Sequence, residues 1–445
     1  MLTDKTESLA EMVDWESGLI SGQIFVDDDI YRHEAERLFL RTWNFLAHES
    51  QLQKAGDFVT TFIGADRILL VKQGDGSIKA MLSACRHRGL SVCRVDFGNA
   101  GSFVCPFHGW VYDGAGVLRS APNFESSYHG RFDKSLWGLV AVPRVESYKG
   151  LVFGCFDLEA PSLPEYLGDM AWYLDCLLDR REGGTEVIGG VHRIRIRGNW
   201  KLAAEQFAGD NYHAIITHVS AGSAWADGPS GRSAGGFAKI MQLPGRQFSS
   251  RAGHGMAGFL ARDSGLPSFC DPSMSEDQAV VAEYFRATRN EAADRLGVVR
   301  ADGAPDGAGL VFPNFGILAN TLGASTLTLI HPKGPSQFDY SRWCVVDLAA
   351  PKAVKEAMVR CLHVWPLGMA DADDGENWGG IQATLQGPIA RRLKFNYQMG
   401  VGQECSDQDF PGTITPFIVG EVPQRNFYRR WLEYMTSESW PVIDQ

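Results

Sequence analysis

Hydrophobic and polar positions change period several times along the chain. Through "DDDIYRHEAERLFLRTW" (residues 27–43), Ile30, Leu38 and Phe39 recur among polar positions behind aspartates suited to a helix N-terminus, so about the first forty residues are predicted to be helical. From Gly56 the period shortens. "DFVTTFIGADRILLVKQGDGSIKAML" is rich in β-branched and aromatic residues and is cut by "GAD" and "GDG", which predicts short antiparallel strands and hairpins. That texture continues through "GSFVCPFHGWVYDGAGVL" and closes near Gly150 to Phe156. After Pro161 and Pro164 helical spacing returns in "PEYLGDMAWYLDCLLDRR" and "NWKLAAEQFAGDNYHAIITH". "SEDQAVVAEYFRATRNEAADRLG" and "VKEAMVRCLHVW" also read as helices, and "ASTLTLIHPKG" and "YSRWCVVDLAAP" as strands. The predicted class is therefore α+β: an all-β subdomain, then a sheet with helices on one face. Two glycine-rich stretches, "AGSAWADGPSGRSAGGF" and "ADGAPDGAG", are expected to be surface loops, and no internal repeat is visible.

Composition narrows the partners. A chain of 445 residues exceeds what one core usually serves. With 42 Lys and Arg against 53 Asp and Glu, the net charge is -11, and no basic run interleaved with aromatics exists to neutralise phosphates. Nucleic acid is not an expected partner. The start, "MLTDKTESLAEMVDW", lacks a cationic segment and an apolar core, and no apolar window reaches membrane length, so a soluble cytoplasmic protein is expected. Nine scattered cysteines suit free thiols and a metal site better than a disulfide framework.

The first candidate chemistry lies in the β region. "CRHRG" carries Cys85 and His87, and "CPFHGW" carries Cys105 and His108. A Rieske 2Fe-2S centre needs this set, because two cysteines hold one iron and two histidines the other. Arg86 and Arg88 favour the negative charge added on reduction, while Gly89, Pro106 and Gly109 suit tight turns. A structural zinc ion also accepts two cysteines and two histidines, but zinc motifs usually pair like ligands within one turn. The other cysteines, Cys93, Cys155, Cys176, Cys270, Cys344, Cys361 and Cys405, read as small apolar residues.

A second candidate lies in "AAEQFAGDNYHAIITH", which contains Glu205, Asp210, His213 and His218. Asp210 and His213 would share a helix face, whereas His213 and His218, five apart, would splay by about 140° unless the helix ended or bulged. Two histidines and one carboxylate on one side of an iron leave open positions for dioxygen. The carboxylate is either Asp210 or one of Asp371, Asp373 and Asp374 in "DADDGENW". Alone, either stretch is an ordinary helix face or a solvated turn; together with a redox cluster they become an electron's destination.

These residues resemble one family: the large (alpha) subunits of Rieske non-haem iron aromatic-ring-hydroxylating oxygenases, of the naphthalene dioxygenase type. "CRHRG", "CPFHGW", "RVESYKGLVFGCFD", "LGDMAWYLD", "GNWKLAAEQFAGDNYHAIITH" and "DDGENW" follow in family order, and the likeness covers nearly the whole chain. It implies an N-terminal helical segment (1–41) packing with the catalytic domain, a Rieske 2Fe-2S domain (42–160) and a helix-grip catalytic domain (161–445). It implies that Cys85, His87, Cys105 and His108 hold the cluster, and that His213, His218 and Asp374 hold a mononuclear Fe(II), with Asp373 the alternative one position away. Asp210 would then bridge His108 of one chain to His213 of the next. Gln206 stands where an asparagine is common, and Val364 and Ala370 where larger aromatics are expected; with Phe207 and Ala214 these are candidate pocket residues, against a plain packing role.

The implied activity is cis-dihydroxylation of an aromatic ring, with electrons from NADH arriving through a separate reductase and ferredoxin. The chain itself has no dinucleotide-binding glycine motif after a strand. The implied assembly is a trimer of large subunits with three small subunits, a hexamer. Rival expectations are a ring monooxygenase of the same family, such as a salicylate hydroxylase, an electron carrier with an inert second domain, and a zinc-stabilised binding module.

Overall fold

In the computed structural model, residues 8–219, 244–260, 275–302 and 306–443 are described. The chain divides into two compact units, Phe39–Leu163 and Met1–Leu38 with Pro164–Gln445. The first glycine-rich stretch, together with Cys270, lies outside the described residues.

The Phe39–Leu163 unit is built of three small antiparallel sheets. The largest pairs Ile78–Leu82, Asp66–Lys72, Asp57–Ile63 and Phe97–Asn99 in that order. Its central hairpin turns at Gly64, whose φ of +53° an L side chain rarely adopts. Alternate residues of that hairpin serve two cores. Phe58, Leu69 and Val71 join Cys85, Cys105, Trp110 and Tyr112, whereas Val59, Ile63, Ile68 and Leu70 join Leu46 and Val152. The hairpin is buried on both faces, which is why it reads as a nearly continuous apolar run.

The second unit is organised by an eight-stranded antiparallel sheet. Its order is Thr185–Ile196, Phe338–Asp347, Ala324–Pro332, Phe315–Thr321, Asp306–Val311, Gly255–Phe259, Gly245–Ser249 and Thr413–Thr415. The helix Trp200–Gly209 lies on it, started by Asn199, whose side chain accepts from Lys201 N. It comes unusually close because the strands beneath lack side chains: a Cβ on Gly255 would stand 2.3 Å from Ala208 O, and one on Gly316 would stand 2.6 Å from the Phe207 ring. The helices Glu276–Leu296 and Lys352–Val364 share a core of Val281, Phe285, Val354, Met358 and Cys361. The α+β expectation, an all-β subdomain and a helix-covered antiparallel sheet, holds.

Three details differ from the sequence expectation. The N-terminal region is not wholly helical: Val13–Asp14 pairs with Leu19–Ser21, which pairs in turn with Lys394–Asn396, and the first described helix longer than four residues is Asp28–Glu34. "ADGAPDGAG" is not all loop, since a strand begins at Asp306 and Gly307 and Gly309 lie in the sheet; residues 303–305 lie outside the described residues. The C-terminal helix Val422–Thr436 was not anticipated, although Phe427, Trp431, Tyr434 and Met435 recur at helical spacing and are buried. Among the described residues no helix is long and apolar enough to cross a membrane.

Candidate metal centres

The two Cys/His turns share one backbone design. Gly89 N bonds Cys85 O at 2.8 Å and Cys85 N bonds Leu90 O at 2.9 Å; Gly109 N bonds Cys105 O at 2.9 Å and Cys105 N bonds Trp110 O at 2.8 Å. Each turn closes on a glycine of positive φ, +79° and +71°. Across the turns like meets like. The His87 and His108 rings lie 4.4 Å apart between centroids. Burial, and then its hydrogen bond and proximity to Cys85, push the Cys105 thiol up. Thiol beside thiol and imidazole beside imidazole suits two irons with different ligands, rather than one tetrahedral ion. His87 stacks on Trp110 at 5.2 Å and an interplanar angle of 6°, and its Nδ1 is buried with no hydrogen bond among the described residues. The Tyr112 hydroxyl lies 3.4 Å from Cys85 Sγ and accepts from Arg86 N at 3.0 Å.

The second site forms where the Trp200–Gly209 helix stops. Asp210 leaves it in extended conformation, so Asp210 and His213 do not share a helix face. Instead Asp210 Oδ1 accepts from Tyr212 N at 2.9 Å and His213 N at 3.2 Å, and Oδ2 lies 3.2 Å from His213 Nδ1. One helical turn, Ala214–Thr217, then separates His213 from His218. Asp374 arrives from the helix Asp371–Thr384, which is not the solvated turn its acidity suggested. His213 Nε2 and His218 Nε2 stand 3.5 and 3.6 Å from Asp374 Oδ1, and the three donor atoms lie within 4.8 Å of one another.

Each histidine is also held from behind. Asp210 faces Nδ1 of His213, and Asp373 Oδ2 lies 3.3 Å from Nδ1 of His218. The structure therefore sets Asp373 behind a histidine and brings Asp374 to the convergence. Burial pushes the Asp374 carboxyl up, opposed by the two histidines. For His213 burial acts downward, but Asp210 and Asp374 outweigh it and the imidazole is raised. Glu205, on the same helix, points elsewhere. Its carboxylate accepts from Tyr397 OH at 3.0 Å and from Tyr428 OH, and burial pushes its pKa up to about 8.

A cavity of about 140 Å³ opens beside the two histidines and Asp374. An engineered apolar cavity of ~150 Å³ accepts benzene, so this space is on the scale of one ring. Of the five candidate pocket residues, Gln206, Phe207, Ala214 and Ala370 line it and Val364 does not. Val364 is 53% exposed. The buried face of its helix runs through Cys361, and the residue one turn further on is Trp365, which with Pro366 takes the wall position. Gln206 is fixed by Trp378 Nε1, which donates to its Oε1 at 2.9 Å. The sequence reading missed Tyr340 and Arg342, which also line the cavity, as does Asp371, which it offered only as a possible metal carboxylate. Strand alternation could have paired Tyr340 with Arg342, but nothing local says which face meets the site. Among the described residues Cys93, Cys155, Cys176, Cys344 and Cys361 are buried free thiols, and Cys405 is an exposed one.

Comparison with known proteins adds the following. Residues 42–148 match the Rieske [2Fe-2S] domain family, and residues 166–437 match the ring hydroxylating alpha subunit (catalytic domain) family. The chain is 39% identical over 444 residues to the biphenyl 2,3-dioxygenase subunit alpha of Rhodococcus jostii strain RHA1, covering 98% of this chain and 93% of that one. It is 39% identical over 441 residues to the chlorobenzene dioxygenase subunit alpha of Cupriavidus sp. strain PS12, covering 97% and 94%. A crystal structure of naphthalene 1,2-dioxygenase with indole in its active site superposes with a TM-score of 0.87 at 30% identity, over 96% of this chain and 94% of that one.

Proposed function

The chain belongs to the family of Rieske-type aromatic-ring-hydroxylating dioxygenase alpha subunits, and on that premise we propose that it adds both atoms of dioxygen to adjacent carbons of an aromatic ring. The product is a cis-dihydrodiol: the ring gains two oxygen atoms, and two electrons and two protons complete the balance. The electrons come from NADH through a separate reductase and ferredoxin. Cys85, His87, Cys105 and His108 would hold the 2Fe-2S cluster, and His213, His218 and Asp374 a mononuclear ferrous ion. The cluster would supply single electrons, and the ferrous ion would supply the activation of dioxygen.

The observation that carries this proposal is the meeting of two Nε2 atoms on the buried Asp374 Oδ1, which makes no hydrogen bond among the described residues, beside a ring-sized cavity. Neutral imidazole and carboxylate together suit iron, and an orphaned buried carboxylate oxygen is expected to have a partner. Asp210 and Asp373 orient the two imidazoles from their Nδ1 sides, fixing which nitrogen is free to ligate. Phe207, Leu318 and Trp365 present apolar walls that seat a ring and exclude water. We assign Asp210 a second role, linking His213 to His108 of the partner subunit in a trimer of large subunits with three small subunits. A cytoplasmic setting fits this dependence on soluble electron carriers.

Turnover under isotopically labelled dioxygen tests the reaction. Two labelled atoms in one product molecule support dihydroxylation, and a single labelled atom transfers the enzyme to the monooxygenase class. Metal analysis should find a third iron beyond the two of the cluster. A protein with the cluster's iron alone would be an electron carrier, and a colourless zinc protein would be neither.

A further inference from the structure

Resting on the ring-dioxygenase proposal above, we propose that Arg342 and Asp371 form a polar recognition point in the cavity wall, and that the substrate ring carries a hydroxyl that accepts from Arg342 and donates to Asp371. Tyr340 and Arg342 are two apart on the strand Phe338–Asp347, so both side chains leave the same face, and both line the cavity with His213, His218 and Asp374. Arg342 is 3% exposed. Its Nη1 lies 2.9 Å from Asp371 Oδ1, and its Nη2 donates to Tyr340 OH. Its Nε, however, makes no hydrogen bond among the described residues, and neither does Asp371 Oδ2, although both atoms are buried.

A buried ion pair that only tied a helix to a sheet would be expected to satisfy its own donors and acceptors, and apolar residues often replace such a pair without loss. This pair leaves one buried donor and one buried acceptor without a partner, on two residues of the cavity wall. Its nearest ladder partner on one side, Thr328, likewise has a buried hydroxyl with no hydrogen bond among the described residues. The unmatched groups define the ligand chemistry. A plain hydrocarbon would leave them unsatisfied. A carboxylate would accept from Arg342 but stand beside two further carboxyl groups, Asp371, 2.9 Å from the guanidinium, and the nearby Asp374. A hydroxyl offers one acceptor and one donor in a single atom, and the Phe207 ring, 5.8 Å from the guanidinium carbon, places an aromatic surface next to the charge.

The test compares phenol, benzene and benzoate, probes of one ring, in two measurements. Equilibrium binding to the oxidised enzyme without reductant should favour phenol over benzene by about 10- to 100-fold, the worth of a charge-assisted hydrogen bond, and kcat/KM in the reconstituted system should follow. Arg342→Met should bring the phenol-to-benzene ratio close to one, and Asp371→Asn should lower it; the asparagine variant keeps the side-chain shape if the first variant folds poorly. Equal binding of phenol and benzene by the unaltered enzyme, tighter binding of benzoate than phenol, or a ratio unmoved by both substitutions would overturn the hydroxyl assignment. If phenol is preferred in binding yet no ring is oxygenated, the dioxygenase proposal fails instead. If both rings are oxygenated alike, only the recognition point fails.

Discussion

Glu34 offers the sharpest test of how the catalytic unit is held together. It is 0% exposed, and its two oxygens take Lys201 Nζ at 2.5 Å, Trp200 Nε1 at 2.8 Å and Trp431 Nε1 at 2.9 Å. Three segments meet there: the Asp28–Glu34 helix, the helix that leads to Asp210, and the C-terminal helix. Glu34→Gln leaves the Lys201 ammonium buried without a counter-charge, which costs ~3–5 kcal/mol. The rings of Phe25, Trp200 and Trp431, at 5.9, 5.4 and 5.6 Å from Nζ, recover part of this, so the lower end, about 3 kcal/mol, applies. Losing one indole acceptor adds roughly 1 kcal/mol. A total of about 4 kcal/mol is a large share of the ~5–15 kcal/mol that domains possess. The assay is urea unfolding of four proteins: the unaltered chain, Glu34→Gln, Lys201→Met and the double variant. Removing the stranded cation should restore about 2–3 kcal/mol, so the double variant should be more stable than Glu34→Gln alone. Burial already pulls the Lys201 ammonium below its ordinary range. The folded single variant therefore binds fewer protons than its unfolded chain below pH ~10.5, and its stability should rise with pH toward that value. A loss under about 1 kcal/mol in Glu34→Gln, or additive effects in the double variant, would refute the buried-pair account.

Three further outcomes are expected. Asp210→Ala should leave the iron content of the enzyme unchanged while NADH-driven turnover falls at least ~100-fold, as metal analysis and product formation would show; near-normal turnover removes Asp210 from the electron path. Tyr112→Phe removes the hydroxyl 3.4 Å from Cys85 Sγ and should lower the cluster's reduction potential by roughly 40 mV per kcal/mol of hydrogen bond lost, and a potential unchanged in spectroelectrochemical titration excludes that bond. Glu205, raised from 4.5 to about 8, keeps its proton when folded and loses it when unfolded. Its contribution is complete below the unfolded value and is lost as pH rises through about 8, so Glu205→Gln should gain relative to the unaltered protein across that window. Water reaches part of this side chain, so roughly 2 kcal/mol of the unscreened shift should survive; melting-temperature differences that stay flat between those pH values contradict the assignment.

How far the sequence revealed this molecule depended on how far apart the interacting residues lie along the chain. The Cys85 and Cys105 turns are closed by glycines four residues on, so spacing and residue type made them legible without the fold. Asp210 and His213 are three apart, and their link was legible too, although the sequence suggested a helix face where the chain forms a turn. Asp374 was different: nothing local separated it from Asp371 and Asp373, and only the family resemblance favoured it. In the helix, a step of about 100° per residue sets Asp371 and Asp374 on one face and turns Asp373 away, so the three carboxylates divide between Arg342, the convergence of the two Nε2 atoms, and the Nδ1 side of His218. That division requires knowing that "DADDGENW" is a helix, which its acidity and glycine obscured. Arg342 was hidden for another reason. The strand Phe338–Asp347 is buried on both faces, so its alternation carries no direction, and a central arginine looks like an interruption until Asp371 is placed beside it. Glu34 and Lys201, 167 residues apart, gave no signal at all, because a buried ion pair is two ordinary surface-type residues until the fold removes the water from both. The polar residues hardest to read from sequence are thus those whose charge is tolerable only in the finished structure. In this chain Lys201, Arg342 and Asp371 sit on the helices and strand that line the cavity, and Glu34 reaches them from the N-terminal segment.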